Sequence, residues 1–166
     1  MSFTDNGKDT ATRILDAAEV LFVEHGFEAT SLRMITQRAA VNLAAVNYHF
    51  GSKEVLFQGV ISRRLAPYNQ ECIEELRQAL IDAPHGLSVD SIVAAYLRPA
   101  IRLAKDPARG GIIFIRLMSR VFAEPHDSLR DMLPRLYSDV LEAYRAALVK
   151  ALPHLGSHEV SWRLQF

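Results

Sequence analysis

The chain has 166 residues, 49% of them hydrophobic, with 19 basic and 19 acidic side chains, so it can bury a core and carries no net charge. That balance excludes a protein held to nucleic acid by bulk charge, and the single cysteine, Cys72, excludes an internal disulfide framework and fits a reducing cytoplasm. No apolar run approaches a membrane span and the start, MSFTDNGKDT, has no signal-peptide core, so the expectation is a cytoplasmic protein with no membrane partner.

In chain order, residues 1–8 are polar and expected to be disordered. A first helix is expected from about Thr10 to His25, with Ile14, Ala18, Leu21 and Phe22 on one stripe and Gly26 closing it. Leu32, Ile35 and Ala39 recur at spacings of three and four in a second helix, whose first amides Ser31 can cap. Val41 plugs the following turn, and Asn42 is a fitting N-cap for a short third helix, Leu43 to His49. Gly51 suits a left-handed helix end, and Ser52 can cap the next helix. A short helix, polar at its tip and backed by apolar anchors, suits insertion into a DNA major groove.

The fourth helix runs from near Lys53 towards Leu80, with Val55, Leu56, Val60 and Ile61, then Ile73, Leu76 and Leu80, facing inward. Pro67 is expected to kink or split it. Ser88 caps a fifth helix, roughly Val89 to Lys105, with Pro99 in its interior. Gly111 to Ala123 is almost wholly apolar and reads as a central helix, its exceptions Arg116 and Arg120 lying four apart on one face. A helix from about Ser128 to Leu152 carries two apolar stripes, an arc wide enough for its own domain and a partner. Ser157 starts a last helix with Val160, Trp162, Leu164 and Phe166.

Charge is unevenly distributed. Lys8 to Thr30 holds two basic and five acidic residues, whereas Ser31 to Phe57 holds Arg33, Arg38 and Lys53 against Glu54 alone. The positive charge therefore lies in the helix-turn-helix stretch, where phosphate contact needs it.

Residues 18–56 resemble the DNA-binding domain of the TetR family of bacterial transcriptional regulators. The pattern is Ala18, Leu21-Phe22, Gly26-Phe27, Thr30-Ser31-Leu32, Ile35, Ala39, Val41, Tyr48-His49-Phe50, Ser52-Lys53-Glu54 and Leu56. Thr36 and Ala40 depart from it, standing where the family usually has alanine and glycine, and Asn42 replaces a Ser or Thr cap. Ala40 raises the question of whether the turn needs a positive φ there.

The resemblance implies an all-α protein: a three-helix helix-turn-helix domain at 8–57, then a helical ligand-binding and dimerisation domain at 58–166. It implies a homodimer on double-stranded, near-palindromic operator DNA, released by a small-molecule effector. Family members continue through further helices at the interface, so the chain is expected to lack its C-terminal part. The alternative is an all-α ligand-binding or scaffold protein with weak or no DNA affinity, since Ala44 and Ala45 offer no hydrogen bonds.

Site residues are assigned accordingly. The DNA-binding set is Ser31, Arg33, Asn42, Leu43, Ala44, Ala45, Asn47, Tyr48, His49 and Lys53. Arg33 either reaches a guanine edge or pairs with a nearby acid, Ala44 and Ala45 suit thymine methyls, and Asn47 suits a base edge. His49 and Lys53 match phosphate-holding positions, as does Tyr48, which could equally be a core ring. An apolar effector, plausibly anionic, is assigned to Tyr96, Ile101, Phe114, Arg116, Met118 and Arg120. The dimer surface is assigned to Leu141, Tyr144, Leu148 and Trp162.

No enzyme is expected: GxSxG, HExxH and paired-cysteine motifs are missing, and no cofactor is implied. His154 and His158 have a metal-capable spacing, but Pro153 and Gly156 argue against one continuous helix, so no metal site is assigned. Cys72 lies beside Glu71 and Glu74, which favours a packing role over a reactive one.

Overall fold

The computed structural model describes residues 3–106, 110–123 and 134–165. All regular structure in it is helical: α1 (Phe3–Ala29), α2 (Leu32–Ala39), α3 (Leu43–Phe50), α4 (Lys53–Asp82), α5 (Val89–Ala104), α6 (Gly111–Ala123), α7 (Ser138–Ala151) and α8 (Ser157–Gln165). They form two compact units. One holds the described residues of Met1–Arg64 and Ile112–Met132; the other holds those of Leu65–Gly111 and Leu133–Phe166. No described helix is long and apolar enough to cross a membrane.

In the first unit, Ile14, Ala18, Leu21 and Phe22 form the buried stripe of α1, as their spacing predicts. The core centres on three rings. Phe57 meets Phe22 and Phe27 edge-on at 4.8 and 5.1 Å between centroids. Gly26 breaks helical geometry at φ 82°, ψ 175°, where a β-carbon would be disfavoured. Thr30 closes that break from within: fully buried, its hydroxyl lies 2.7 Å from the Gly26 carbonyl and 3.1 Å from that of Leu21.

A buried carboxylate joins α1 to α4. Glu19 accepts hydrogen bonds from Arg63 and, at 2.9 and 2.7 Å, from Arg64, while Arg63 also reaches Asp16 at 2.6 Å. Burial works against the Arg63 charge, but the hydrogen bonds it donates to Glu19 and Asp16 outweigh it and raise its pKa.

In the second unit, Leu65, Cys72 and Leu76 of α4 are buried, as are Ile92, Ala95 and Leu103 of α5 and Val140, Tyr144 and Ala147 of α7. Ser88 caps α5 as expected, accepting from the Ser91 amide at 3.1 Å. Glu75 binds Arg102 at 2.7 Å and Arg98 at 3.4 Å across α4 and α5. Burial pushes the Cys72 thiol up, only partly offset by its hydrogen bond with Tyr68, and Glu71 and Glu75 add to the rise.

Several expectations need correction. Helix α1 begins at Phe3, not Thr10; Gly7, the breaker within this added stretch, costs only about 1 kcal/mol in a helix. Pro67 does not split α4, which runs unbroken from Lys53 to Asp82. Pro67 lies on its exposed side, where water can take the carbonyl left without a partner. Val55 and Leu80 face solvent because the buried stripe of α4 passes through Leu56 and Leu76 instead. Helix α6 is not central: Phe114, Leu117, Met118 and Val121 are buried, while Ile112, Ile113 and Ile115 are exposed. Helix α7 starts at Ser138 after a bend at Tyr137; the expected start at Ser128 lies outside the described residues.

Candidate nucleic-acid interface

The reading head is built by caps. Ser31 Oγ accepts from the Met34 amide at 3.2 Å and starts α2; Asn42 Oδ1 accepts from the Ala45 amide at 2.8 Å and starts α3. Ser52 Oγ accepts from the Val55 amide at 3.2 Å and starts α4. Between α2 and α3 the chain turns on Ala40, at φ 51° and ψ 50°, so this turn does adopt the left-handed conformation. The Val41 amide donates to the Thr36 carbonyl at 3.0 Å and the Ala40 amide to that of Gln37 at 3.3 Å, the paired bonds of a Schellman ending. Gly51 ends α3 at φ 75°.

Helix α3 is seated by Val46, which is buried, and presents Leu43, Ala44, Asn47 and Tyr48 to solvent. Tyr48 is 85% exposed and so is not a core ring. His49 is half-buried, edge-on to Tyr48 at 5.1 Å, and Ala45 is half-buried. Arg33 is exposed on α2, and it forms no ion pair among the described residues. Lys53 is more restrained than a free surface cation: its ammonium lies 4.3 Å from the Phe27 ring centroid and 3.4 Å from the Glu28 carbonyl. The structure therefore gathers Ser31, Arg33, Asn42, Leu43, Ala44, Ala45, Asn47, Tyr48, His49 and Lys53 on the helix-turn-helix and its flank.

Two family models match the chain: "Bacterial regulatory proteins, tetR family" over residues 14–60 and "Tetracyclin repressor-like, C-terminal domain" over residues 94–166. The chain belongs to the TetR family of bacterial transcriptional regulators. The HTH-type transcriptional repressor BepR of Brucella suis biovar 1 (strain 1330) is 29% identical over 157 residues, 93% of this chain and 71% of BepR. UidR of Escherichia coli (strain K12) is 42% identical over 52 residues, 31% of this chain and 26% of UidR. Among solved structures, a complex of SmeT with triclosan matches at a TM-score of 0.66 and 26% identity, covering 87% of this chain and 66% of SmeT.

The residues expected at an effector site are divided between the two units. Phe114, Arg116, Met118 and Arg120 belong to the first unit; Tyr96 and Ile101 belong to the second. Phe114 and Met118 are buried on α6, while Arg116 and Arg120 are exposed, Arg120 donating to the Glu24 carbonyl at 3.3 Å. Tyr96 packs edge-on against Tyr144 at 5.2 Å, and Ile101 is exposed. Of the residues assigned to a dimer surface, Leu141 (43%) and Trp162 (58%) are exposed and Leu148 is half-buried. Tyr144 is instead a core residue, buried with its hydroxyl donating to the Cys72 carbonyl at 2.8 Å. Its helical register suits either role, and only the partner 72 residues away decides between them.

One contact of the reading head was not legible from the sequence. Arg13 of α1 donates from Nη2 to the carbonyls of Ala39 and Ala40, at 2.5 and 2.9 Å. The sequence marks Arg13 only as a cation in an acidic stretch.

Proposed function

We propose that the chain is a ligand-responsive repressor that binds a near-palindromic operator as a homodimer, in the cytoplasm, and acts by binding and not by catalysis. The observation that carries this reading is α3: an eight-residue helix, capped at Asn42 and seated on Val46, with Ala44, Asn47 and Tyr48 free to meet a groove. In this reading Arg33 makes a bidentate contact to guanine, Ala44 and Ala45 touch thymine methyls, and Asn47 meets a base edge. Leu43 packs beside them, while Ser31, Asn42, Tyr48, His49 and Lys53 hold the backbone.

The effector is a small, mostly apolar molecule, and the SmeT structure offers a precedent for a bound small ligand. Arg116 is the better anchor for an anionic group, because Arg120 already reaches the Glu24 carbonyl and Arg116 has no hydrogen bond or ion pair among the described residues. Helix α4 is the lever in this scheme, beginning beside α3 and continuing unbroken to Asp82. A hundred-fold loss of operator affinity needs only about 2.7 kcal/mol of coupling.

Arg33→Ala should weaken binding to a selected operator by about 1–3 kcal/mol and relax preference at one base position per half-site. Equal loss on operator and random duplex would remove Arg33 as a reader. Apolar anions should release operator better than neutral analogues from wild type but not from Arg116→Ala; a preference that survives the substitution would remove Arg116 as the anchor.

A further inference from the structure

We propose that Arg13 is a positioning residue for sequence reading, fixing the angle at which α3 leaves the helix-turn-helix turn. The inference rests on the DNA-reading function above. A helix leaves its last carbonyls without intrahelical partners. At the end of α2 the Schellman bonds satisfy those of Thr36 and Gln37, and leave the carbonyls of Ala39 and Ala40 pointing out of the turn. One nitrogen of Arg13 takes both.

The charge is directed to this place. Arg13 shares a groove of about 320 Å³ with Asp16, Ala17, Val20, Arg38 and Ala39. Its guanidinium sits on the two carbonyls, while Asp16 is bound by Arg63. A cation at the C-terminal end of α2 also opposes the negative end of that helix's dipole.

The turn it grips decides where α3 points. Asn42, the first cap of α3, follows Ala40 by two residues, and Val46 is the buried side chain that seats the helix. Asn47, which meets a base edge in this reading, lies five residues beyond Asn42, roughly 7.5 Å along the helix at 1.5 Å per residue. A swing of about 10° at the turn would therefore move it by roughly 1.3 Å, enough to break a hydrogen bond to a base edge. Phosphate contacts are less demanding, because they carry no sequence information and are in large part electrostatic. Loss of Arg13 should thus damage reading more than general adhesion.

The test compares wild type, Arg13→Ala, Arg13→Lys and Arg38→Ala on two duplexes, the site selected by wild type from a random pool and a scrambled duplex. All are measured at a temperature where circular dichroism shows each protein folded. Arg13→Ala should lose about tenfold or more on the selected site and much less on the scrambled one. Arg13→Lys, which keeps a donor for the carbonyls, should recover part of the difference. Arg38→Ala, which changes the same groove without touching the turn carbonyls, should lower both affinities alike. If Arg13→Ala does not fold, Arg13→Met, which keeps the apolar stem but has no donor for the carbonyls, takes its place, and a ratio equal to wild type overturns the inference. Equal loss on both duplexes for Arg13→Ala overturns it too. A wild type without preference for any duplex refutes the DNA-reading function itself, a failure distinct from that of Arg13.

Discussion

Ala40→Gly is the cleanest probe of the turn that joins the two helices of the reading head. Ala40 is exposed, so its methyl group contributes little packing, yet its backbone sits at φ 51° and ψ 50°. Holding an L-residue there costs roughly 1–2 kcal/mol. Glycine removes that cost but gains freedom in the unfolded chain, which takes back about 0.4–1 kcal/mol. The net expectation is a gain of about 0.5–1 kcal/mol, and for a protein of this size each kcal/mol moves Tm by about 2–4 °C. Thermal unfolding followed by circular dichroism should therefore show a rise of roughly 1–4 °C, with the midpoint of urea unfolding moving in the same direction. Ala40→Val should shift both the other way, since a β-branched side chain tolerates the left-handed region worse. A fall of Tm on Ala40→Gly, or no difference between Gly and Val, would refute the assignment of strain to this residue.

Other substitutions test the packing. Glu19→Ala should destabilise by about 3 kcal/mol, the low end for a broken buried pair, because Arg63 and Arg64 keep some contact with water; urea unfolding reads it, and a loss below 1 kcal/mol would show that the carboxylate is dispensable. The hydrogen bond from Arg102 holds the Glu75 carboxyl below its usual range, against burial that raises it. Its contribution, under about 1 kcal/mol for so open a pair, is thus present above the ordinary carboxylate pKa and is lost as pH falls through the lowered folded value. Glu75→Gln should flatten that part of the acid limb of stability against pH, and an unchanged limb would speak against the pairing. Gly59→Ala and Gly111→Ala should differ sharply in Tm. A methyl at Gly59 meets the flexible end of Leu15 at 3.3 Å and should change stability by less than about 1 kcal/mol. One at Gly111 falls 1.7 Å from the Leu103 carbonyl oxygen and should cost more than about 2 kcal/mol.

The caps show what a sequence makes legible. Ser31, Asn42, Ser52 and Ser88 bind amides three residues ahead, so residue type and spacing suffice to find them. The same local logic finds the buried stripe of α1 and the left-handed glycine at Gly51. It fails where the partner is remote. Arg13 binds carbonyls 26 and 27 residues away, Glu19 meets arginines 44 and 45 residues away, and nothing near either residue announces the contact. Tyr144, expected on a surface, is buried for the same reason, its partner carbonyl lying 72 residues away. On α6, apolar content reads as a central helix, whereas the helix buries one face and leaves Ile112 and Ile115 exposed. Composition reports how much apolar surface exists, and only packing decides which of it is covered.

Sequence-specific recognition of double-stranded DNA can be measured by selection from a random duplex pool with the purified chain. Enrichment of a near-palindrome is expected, with half-sites about one helical turn apart or slightly more, bound with an affinity that falls steeply as salt rises. A pool that remains random after repeated rounds, with the protein folded throughout, would contradict it.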